Sequence, residues 1–97
     1  MKPFKELDPL LHSQLRLAIM SVLVGVKEAE FSYLKTQTNS TAGNLSVQLT
    51  KLKDAGYITV EKSFRDNYPL TQCSITAKGR KAFAEYVDAL QQYINRK

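Results

Sequence analysis

The stretch NSTAGNLSVQLTKLKDAGYITV, residues 39–60, decides the fold because its hydrophobic period changes along its length. Its first part has leucines at helical spacing: Leu45, Leu49 and Leu52. This spacing predicts a helix from about Thr41 to Ala55, ended by Gly56. Gly43 lies in the first turns of that helix, where glycine costs about 0.5–1 kcal/mol relative to alanine. Either the helix tolerates a weak start, or its end must lie close to a partner.

The residues after Gly56 alternate, as in a β-strand. Ile58 and Val60 are predicted to share an inward face, and a second alternating segment places Cys73 and Ile75 inward. Turn-forming residues lie between the two segments: Asp66, Asn67 and Pro69. The sequence therefore predicts a two-stranded hairpin, or wing, over about 57–76.

Helices are predicted on both sides of this central region. Asp8 and Pro9 are typical of a helix start, and Gly25 of a helix end, which predicts a first helix over about 9–25. A charged turn over 27–30 leads to a short second helix at about 31–38. Thr76 is a predicted cap for a last helix at about 76–95. The expected fold class is mainly α (α+β), a winged helix-turn-helix with three amino-terminal helices, a two-stranded wing and a long carboxy-terminal helix.

Composition limits the class of protein. The 97 residues are enough for one small domain, and 14 Lys+Arg against 9 Asp+Glu give a formal charge of +5. This balance favours a polyanionic partner. Cys73 is the single cysteine, so no disulfide framework is expected and a reducing cytoplasm is the natural location. The apolar run over 17–26 is too short for a membrane span, and the amino terminus does not resemble a signal peptide.

In a winged helix-turn-helix, the second helix of the motif enters the major groove and the wing contacts flanking DNA. Here the motif would cover about 31–55. At 100° per residue, small and polar side chains collect on the face opposite the leucines. The predicted recognition residues are Ser40, Thr41, Gly43, Asn44, Ser46, Val47 and Lys51. The alternative for each is a cap or a solvated surface residue.

Asn44 has the donor and acceptor needed to pair with adenine, and Val47 is suited to contact a thymine methyl. The wing is predicted to reach the flanking backbone or the minor groove through Lys62, Arg65 and Asn67. Asp66 cancels part of the charge of Arg65, so a merely solvated turn is the alternative there.

The segments LDPLLHSQLRLAIMSVL, FSYLKTQT, NLSVQLTKLKDAGYITVEKSF and SITAKGRKAFAEYVDAL together resemble the small winged-helix domains of MarR-type and ArsR-type transcriptional regulators. The resemblance covers about residues 7–90. It implies DNA contacts from the amino half of 41–51 and from the wing. It also places Arg16 at a family-typical arginine position, where we expect an ion-pair or backbone-orienting role before a DNA contact.

The same resemblance implies a homodimer formed through the terminal helices. The last helix also carries more apolar surface than so small a domain readily covers alone. The predicted interface residues are Leu11, Leu15, Phe83, Tyr86, Val87, Leu90 and Ile94. Two recognition helices related by a two-fold axis would read a pseudo-palindromic operator.

Other functions have weaker support in the sequence. A metal sensor would have only His12 and Cys73 as histidine and cysteine ligands, and no catalytic arrangement or cofactor motif is present, so neither a metal nor a cofactor is expected. The leading prediction is a double-stranded DNA-binding regulator that is not an enzyme. The alternative is a winged-helix module that binds another protein. A small-molecule effector is left open; five tyrosines are candidates to line its pocket: Tyr33, Tyr57, Tyr68, Tyr86 and Tyr93.

Overall fold

Four helices and three strands make up the fold in a computed structural model that describes residues 4–95. In chain order they are α1 (Gln14–Val24), β1 (Ala29–Glu30), α2 (Phe31–Thr38), α3 (Ala42–Asp54), β2 (Ile58–Arg65), β3 (Tyr68–Ile75) and α4 (Ala77–Ile94). This architecture confirms the predicted winged helix-turn-helix and adds one short strand, β1. None of the described helices is both long and apolar enough to cross a membrane.

The helix α3 follows the predicted pattern closely. Its three leucines are buried in the core, with exposures of 0–4%. Thr41 caps its start, because the Thr41 hydroxyl accepts a hydrogen bond from the backbone N–H of Asn44 at 3.2 Å. Gly56 follows its end with φ of 81°, a left-handed conformation that glycine adopts without steric cost.

The prediction that Asp8 starts the first helix was wrong. Asp8 and Pro9 form a separate turn, in which the Asp8 carboxylate accepts a hydrogen bond from the Leu10 N–H at 2.9 Å. The Asp8 carbonyl accepts another from the His12 N–H at 2.9 Å. Asp-Pro is favoured at the start of a β-turn as well as of a helix. The helix itself begins five residues later than Pro9, at Gln14.

The interpretation of 27–30 as a purely charged turn was also wrong. Ala29 and Glu30 form β1, which pairs antiparallel with β3 so that the strand order is β1-β3-β2. Ala29 lies opposite Cys73 and is only 6% exposed. Two residues are too few for a period to be recognised, and the pairing depends on an edge of β3 that lies more than 40 positions along the chain.

The predicted turn in the wing was too long. Its only residues are Asp66 and Asn67, with φ of 51° and 69°, and both strands continue up to them. Two central residues with positive φ are characteristic of a type I′ hairpin turn, whose twist matches that of the flanking strands. Consequently Pro69, which we expected among the turn residues, is a strand residue paired with Phe64.

The helix α4 begins where predicted and closes the domain. Its cap is Thr76, whose hydroxyl accepts a hydrogen bond from the Gly79 N–H at 3.0 Å and donates one to the Gly56 carbonyl at 2.6 Å. Near its other end, the amino-terminal segment lies alongside it. Lys5 forms an ion pair with Asp88 at 3.0 Å, and Phe4 stacks on Tyr93 with ring centroids 4.3 Å apart. This segment therefore covers part of the surface of α4.

Candidate nucleic-acid interface

The amino half of α3 presents the surface that the sequence predicted. Of the seven predicted recognition residues, six are exposed and Ser40 is half-buried. Val47 is 52% exposed. Because the leucines occupy the core, this polar face is left free by the packing of the protomer. A helix amino terminus also attracts anions through its free N–H groups and its dipole.

Two hydroxyls at the start of α3 already have partners within the chain. Thr41 is the helix cap, and the Ser40 hydroxyl lies 2.8 Å from that of Thr38. Because the Thr38 hydroxyl donates its proton to the Leu34 carbonyl at 2.7 Å, the Ser40 hydroxyl is the donor in its bond to Thr38. For Thr41, the capping role that we weighed as the alternative is therefore present in the structure. Any contact that these hydroxyls make with a partner is additional to a local structural role.

A chain of hydrogen bonds connects the first helix to Asn44. The Arg16 guanidinium donates to the Leu10 carbonyl and to the Gln48 side-chain oxygen, both at 2.5 Å. The Gln48 amide then donates to Oδ1 of Asn44 at 3.2 Å. These contacts fit the expectation that Arg16 has an orienting role.

The Asn44 amide keeps the capacity to read a base edge. After accepting one bond, Oδ1 has a second lone pair, and the amide nitrogen carries two N–H donors. The bond from Gln48 fixes which way the amide faces. Gln48 was not among the predicted recognition residues. The i, i+4 spacing of Asn44 and Gln48 could have indicated the hydrogen bond between them. The bond from Arg16 to Gln48 has no such local signal, because the two residues are 32 positions apart.

The wing distributes its predicted contacts over two faces. In an antiparallel hairpin, side chains alternate between the faces of the sheet. Lys62 is directly opposite Thr71, on the same face as Val60 and the buried Cys73. Arg65 lies on the other face and forms an ion pair with Glu30 at 3.1 Å. Asn67 occupies the turn itself. Thus Lys62 faces the side on which α3 packs, and Arg65 does not.

A groove of about 210 Å³ separates α3 from the wing. Its lining includes Ser46, Thr50 and Lys53 from α3 together with Lys62 from β2. Two ammonium groups and two hydroxyls beside one groove are suited to a phosphate backbone. Lys53 was not among the predicted recognition residues, and its position beside Lys62 depends on how α3 packs against the hairpin.

The predicted dimer residues differ in how much surface they offer. Leu11 is fully buried and Tyr86 is 4% exposed, both within the protomer's own core. These two side chains therefore have almost no surface to give to a partner. For Leu11, the turn at Asp8 directs the side chain inward. Val87 and Ile94 are 37% and 69% exposed, and the others are half-buried: Leu15, Phe83 and Leu90.

The remaining candidate ligands have structural environments. Cys73 is buried in β3, and this burial raises the pKa of its thiol to about 11. His12 lies on the surface, with Nδ1 3.0 Å from the Tyr86 hydroxyl. Within residues 4–95, no three histidine, cysteine or acidic side chains cluster in a way that could hold a metal ion.

Two of the five tyrosines share a cleft. Tyr57 and Tyr86 line a cleft of about 230 Å³ together with Glu6, Asp8 and Glu85. The Tyr57 hydroxyl donates to the Asp8 carboxylate at 2.5 Å, and this bond, with burial and the negative charge of Asp8, raises the pKa of Tyr57 to about 12. The cleft is acidic and lies apart from the polar face of α3.

The fold and the exposed helix together define a class of protein. Residues 15–94 match the winged helix DNA-binding domain family, and the chain belongs to this family. An uncharacterized protein of Methanocaldococcus jannaschii is 38% identical over 81 residues, which cover 84% of this chain and 88% of that protein.

Solved structures of similar shape include transcriptional regulators. The transcriptional regulator homologue from Pyrococcus horikoshii OT3 has a TM-score of 0.83 and 28% identity, over 89% of this chain and 85% of that one. A MarR family transcriptional regulator from Silicibacter pomeroyi has a TM-score of 0.67 and 23% identity, over 80% of this chain and 52% of that protein. At that identity the likeness concerns the fold, and the chain spans about half of that regulator. The predicted resemblance to winged-helix regulators is confirmed, and neither the family nor these structures are described as enzymes.

Proposed function

We propose that this protein is a transcriptional regulator that binds double-stranded DNA sequence-specifically, with α3 in the major groove and the wing on flanking backbone or minor groove. One observation carries the proposal: the amino half of α3 exposes a small, polar face while its leucines are buried. Such a face can approach base edges closely, and it carries no aromatic or arginine residue of the kind that anchors protein interfaces.

The proposed contacts divide into readout and positioning. Asn44 and Val47 read base edges, with Gly43 and Ser46 allowing close approach and Ser40 and Thr41 at the helix end. Lys51, Lys53 and Lys62 neutralise phosphates, and Asn67 lies at the tip of the wing. For Arg65, the ion pair with Glu30 supports a role in bracing the hairpin, and its DNA contact stays a prediction from sequence.

We further propose a homodimer in which two copies of α3 read half-sites about 34 Å apart in a pseudo-palindromic operator. The exposed side chains of Val87 and Ile94 support a contribution from α4, together with the half-buried Leu15, Phe83 and Leu90. The protein is proposed to act in the cytoplasm without a cofactor. Sedimentation showing a monomer at tens of micromolar would contradict the dimer.

The test begins with selection of a binding sequence from randomised duplexes by the full chain. Binding of the selected duplex is then measured over a range of salt concentrations. Each phosphate contact contributes about 0.9 to the slope of log affinity against log salt, so Lys51→Ala should lower the slope by about 1 per protomer. Lys27→Ala is the matched control, because Lys27 is also exposed but lies in the turn before β1.

Two results would count against this proposal. If no duplex is enriched and no salt-dependent binding occurs, the proposal of DNA binding is wrong. Binding of a protein partner then becomes the better interpretation of the exposed helix. If DNA binds but Lys51→Ala and Lys27→Ala give the same slope, α3 is not the part of the molecule that meets the phosphates.

A further inference from the structure

The hairpin has an inner face that begins in the core and ends at an exposed phenylalanine. The register pairs Ile58 with Ile75, Val60 with Cys73, Lys62 with Thr71, and Phe64 with Pro69. Because side chains alternate along a strand, these eight residues lie on one face, which we call the inner face. Ile58 and Cys73 are buried at its base, whereas Phe64 near the tip is 76% exposed. Packing within the protomer therefore does not account for Phe64.

The inner face is continuous with the proposed DNA surface. The groove beside Lys53 of α3 is lined by three inner-face residues: Val60, Lys62 and Thr71. On the inner face, these residues lie between the buried base of the hairpin and the pair formed by Phe64 and Pro69. A duplex lying against α3 and this groove would meet the Phe64 and Pro69 pair next along the same face. The pair is rigid for its size, since one member is a proline and a two-residue turn holds the strands together.

Charge distinguishes the two faces and indicates the partner. The eight inner-face residues include one lysine and no carboxylate. The opposite, outer face carries Glu61 paired with Gln72, and Gln72 paired on its other side with Glu30. Gln72 also donates to the Glu28 carboxylate at 3.2 Å, and Arg65 is paired with Glu30. Phosphates would be repelled by the outer face and attracted to the inner one.

We infer that Phe64, supported by Pro69, is an apolar contact that the wing inserts into the minor groove next to the sequence read by α3. This inference rests on the proposed function: of the two wing contacts proposed there, backbone or minor groove, it selects the minor groove and names the residue that enters it. The minor groove is about 6 Å wide, and proteins that bind it frequently insert phenylalanine or proline side chains against or between base steps. Phe64 would supply van der Waals contact and exclude water, while Lys62 neutralises the adjacent phosphate.

The hairpin itself offers a matched control. Tyr68 is 75% exposed, almost the same as Phe64, and it is opposite Arg65 on the outer face. Phe64→Ala should weaken binding of the selected duplex roughly tenfold or more, as expected for loss of a buried phenyl group. Tyr68→Ala should change affinity less than about twofold, because its face points away from the DNA. Phe64→Leu should retain most of the affinity, since the contact needs an apolar side chain.

Salt dependence separates this contact from the phosphate contacts. Phe64 carries no charge and releases no counterions, so Phe64→Ala should leave the slope of log affinity against log salt unchanged. Lys62→Ala should lower the slope by about 1 per protomer. When the duplex is shortened until no base pairs flank the α3 sites, wild type and Phe64→Ala should bind equally. Circular dichroism and thermal melting of each variant establish that the protein is folded and as stable as wild type.

Three outcomes would overturn the inference while leaving DNA binding intact. They are an equal weakening of binding by Phe64→Ala and Tyr68→Ala, wild-type affinity of Phe64→Ala, and a defect of Phe64→Ala that persists on the shortened duplex. A change in sedimentation of Phe64→Ala without a change in DNA affinity would assign Phe64 to contact between protein copies and also overturn it. If wild type binds no duplex at all, the proposed function itself fails.

Discussion

The first turns of α3 and α4 have the same local chemistry and opposite surroundings. Each helix follows a threonine cap, then alanine, then a glycine within three residues: Thr41 with Gly43, and Thr76 with Gly79. Each cap accepts a backbone N–H hydrogen bond, at 3.2 and 3.0 Å. A methyl group on Gly79 would lie 2.1 Å from the Tyr57 carbonyl oxygen. A methyl group on Gly43 would meet no described heavy atom within 4 Å beyond its chain neighbours and its own helix backbone.

The difference in free space indicates that the start of α4 is a packing contact and that the start of α3 is open to a partner. The start of α4 is held against the connection between α3 and β2, where Thr76 also bonds to the Gly56 carbonyl and its N–H donates to the Tyr57 carbonyl. That end positions the wing relative to α3. The start of α3 has the same cap but is left open on its outer side. An open, capped helix end is available to an external anion without any rearrangement of the protomer.

The largest effect should come from closing the space at Gly79. In Gly79→Ala the new methyl group collides with backbone, which cannot rotate away as a side chain could. Overpacking typically costs about 1–3 kcal/mol, and we expect the free energy of unfolding to fall by the upper end of this range or more. The gain in helix propensity from glycine to alanine is too small to offset this loss. Urea denaturation followed by circular dichroism measures it. A variant as stable as wild type would show that α4 is not held this closely.

A smaller difference should separate the two caps. Thr41→Ala removes one capping bond at an exposed site and should cost about 1 kcal/mol. Thr76→Ala removes a cap and the bond to the Gly56 carbonyl in a part-buried site, so it should cost about 2 kcal/mol. The two unfolding free energies, measured side by side, test whether the α4 end is the anchored one. Equal losses would contradict the comparison.

The capped helices were readable from sequence because their signals are local. Thr76 and the leucines of α3 act within one or two helical turns and were predicted correctly, and capping by Thr41 was weighed as the alternative to a recognition role. The contacts that define the candidate site are not local. The link from Arg16 to Gln48 and the pairing of β1 with β3 depend on how distant elements pack.

The alternating sequence pattern of the wing extends farther than the strand we predicted. The alternation that placed Ile58 and Val60 inward continues through Lys62 to Phe64. We predicted a turn that included Asp66, Asn67 and Pro69 together. Only the first two form it, since the I′ geometry needs just two residues with positive φ. A proline is compatible with a strand position, so Pro69 did not by itself mark the turn.

The smallest change in stability, and the sharpest test of the open end, is Gly43→Ala. With free space around the new methyl group, alanine should stabilise the protein by about 0.5–1 kcal/mol through its helix propensity. Urea denaturation measures this gain, and affinity for the selected duplex is measured on the same preparation. If DNA lies close against this turn, the methyl group should weaken binding while the protein becomes more stable. Unchanged affinity would mean that glycine is merely tolerated there, and that the duplex approaches α3 farther along, toward Val47 and Lys51.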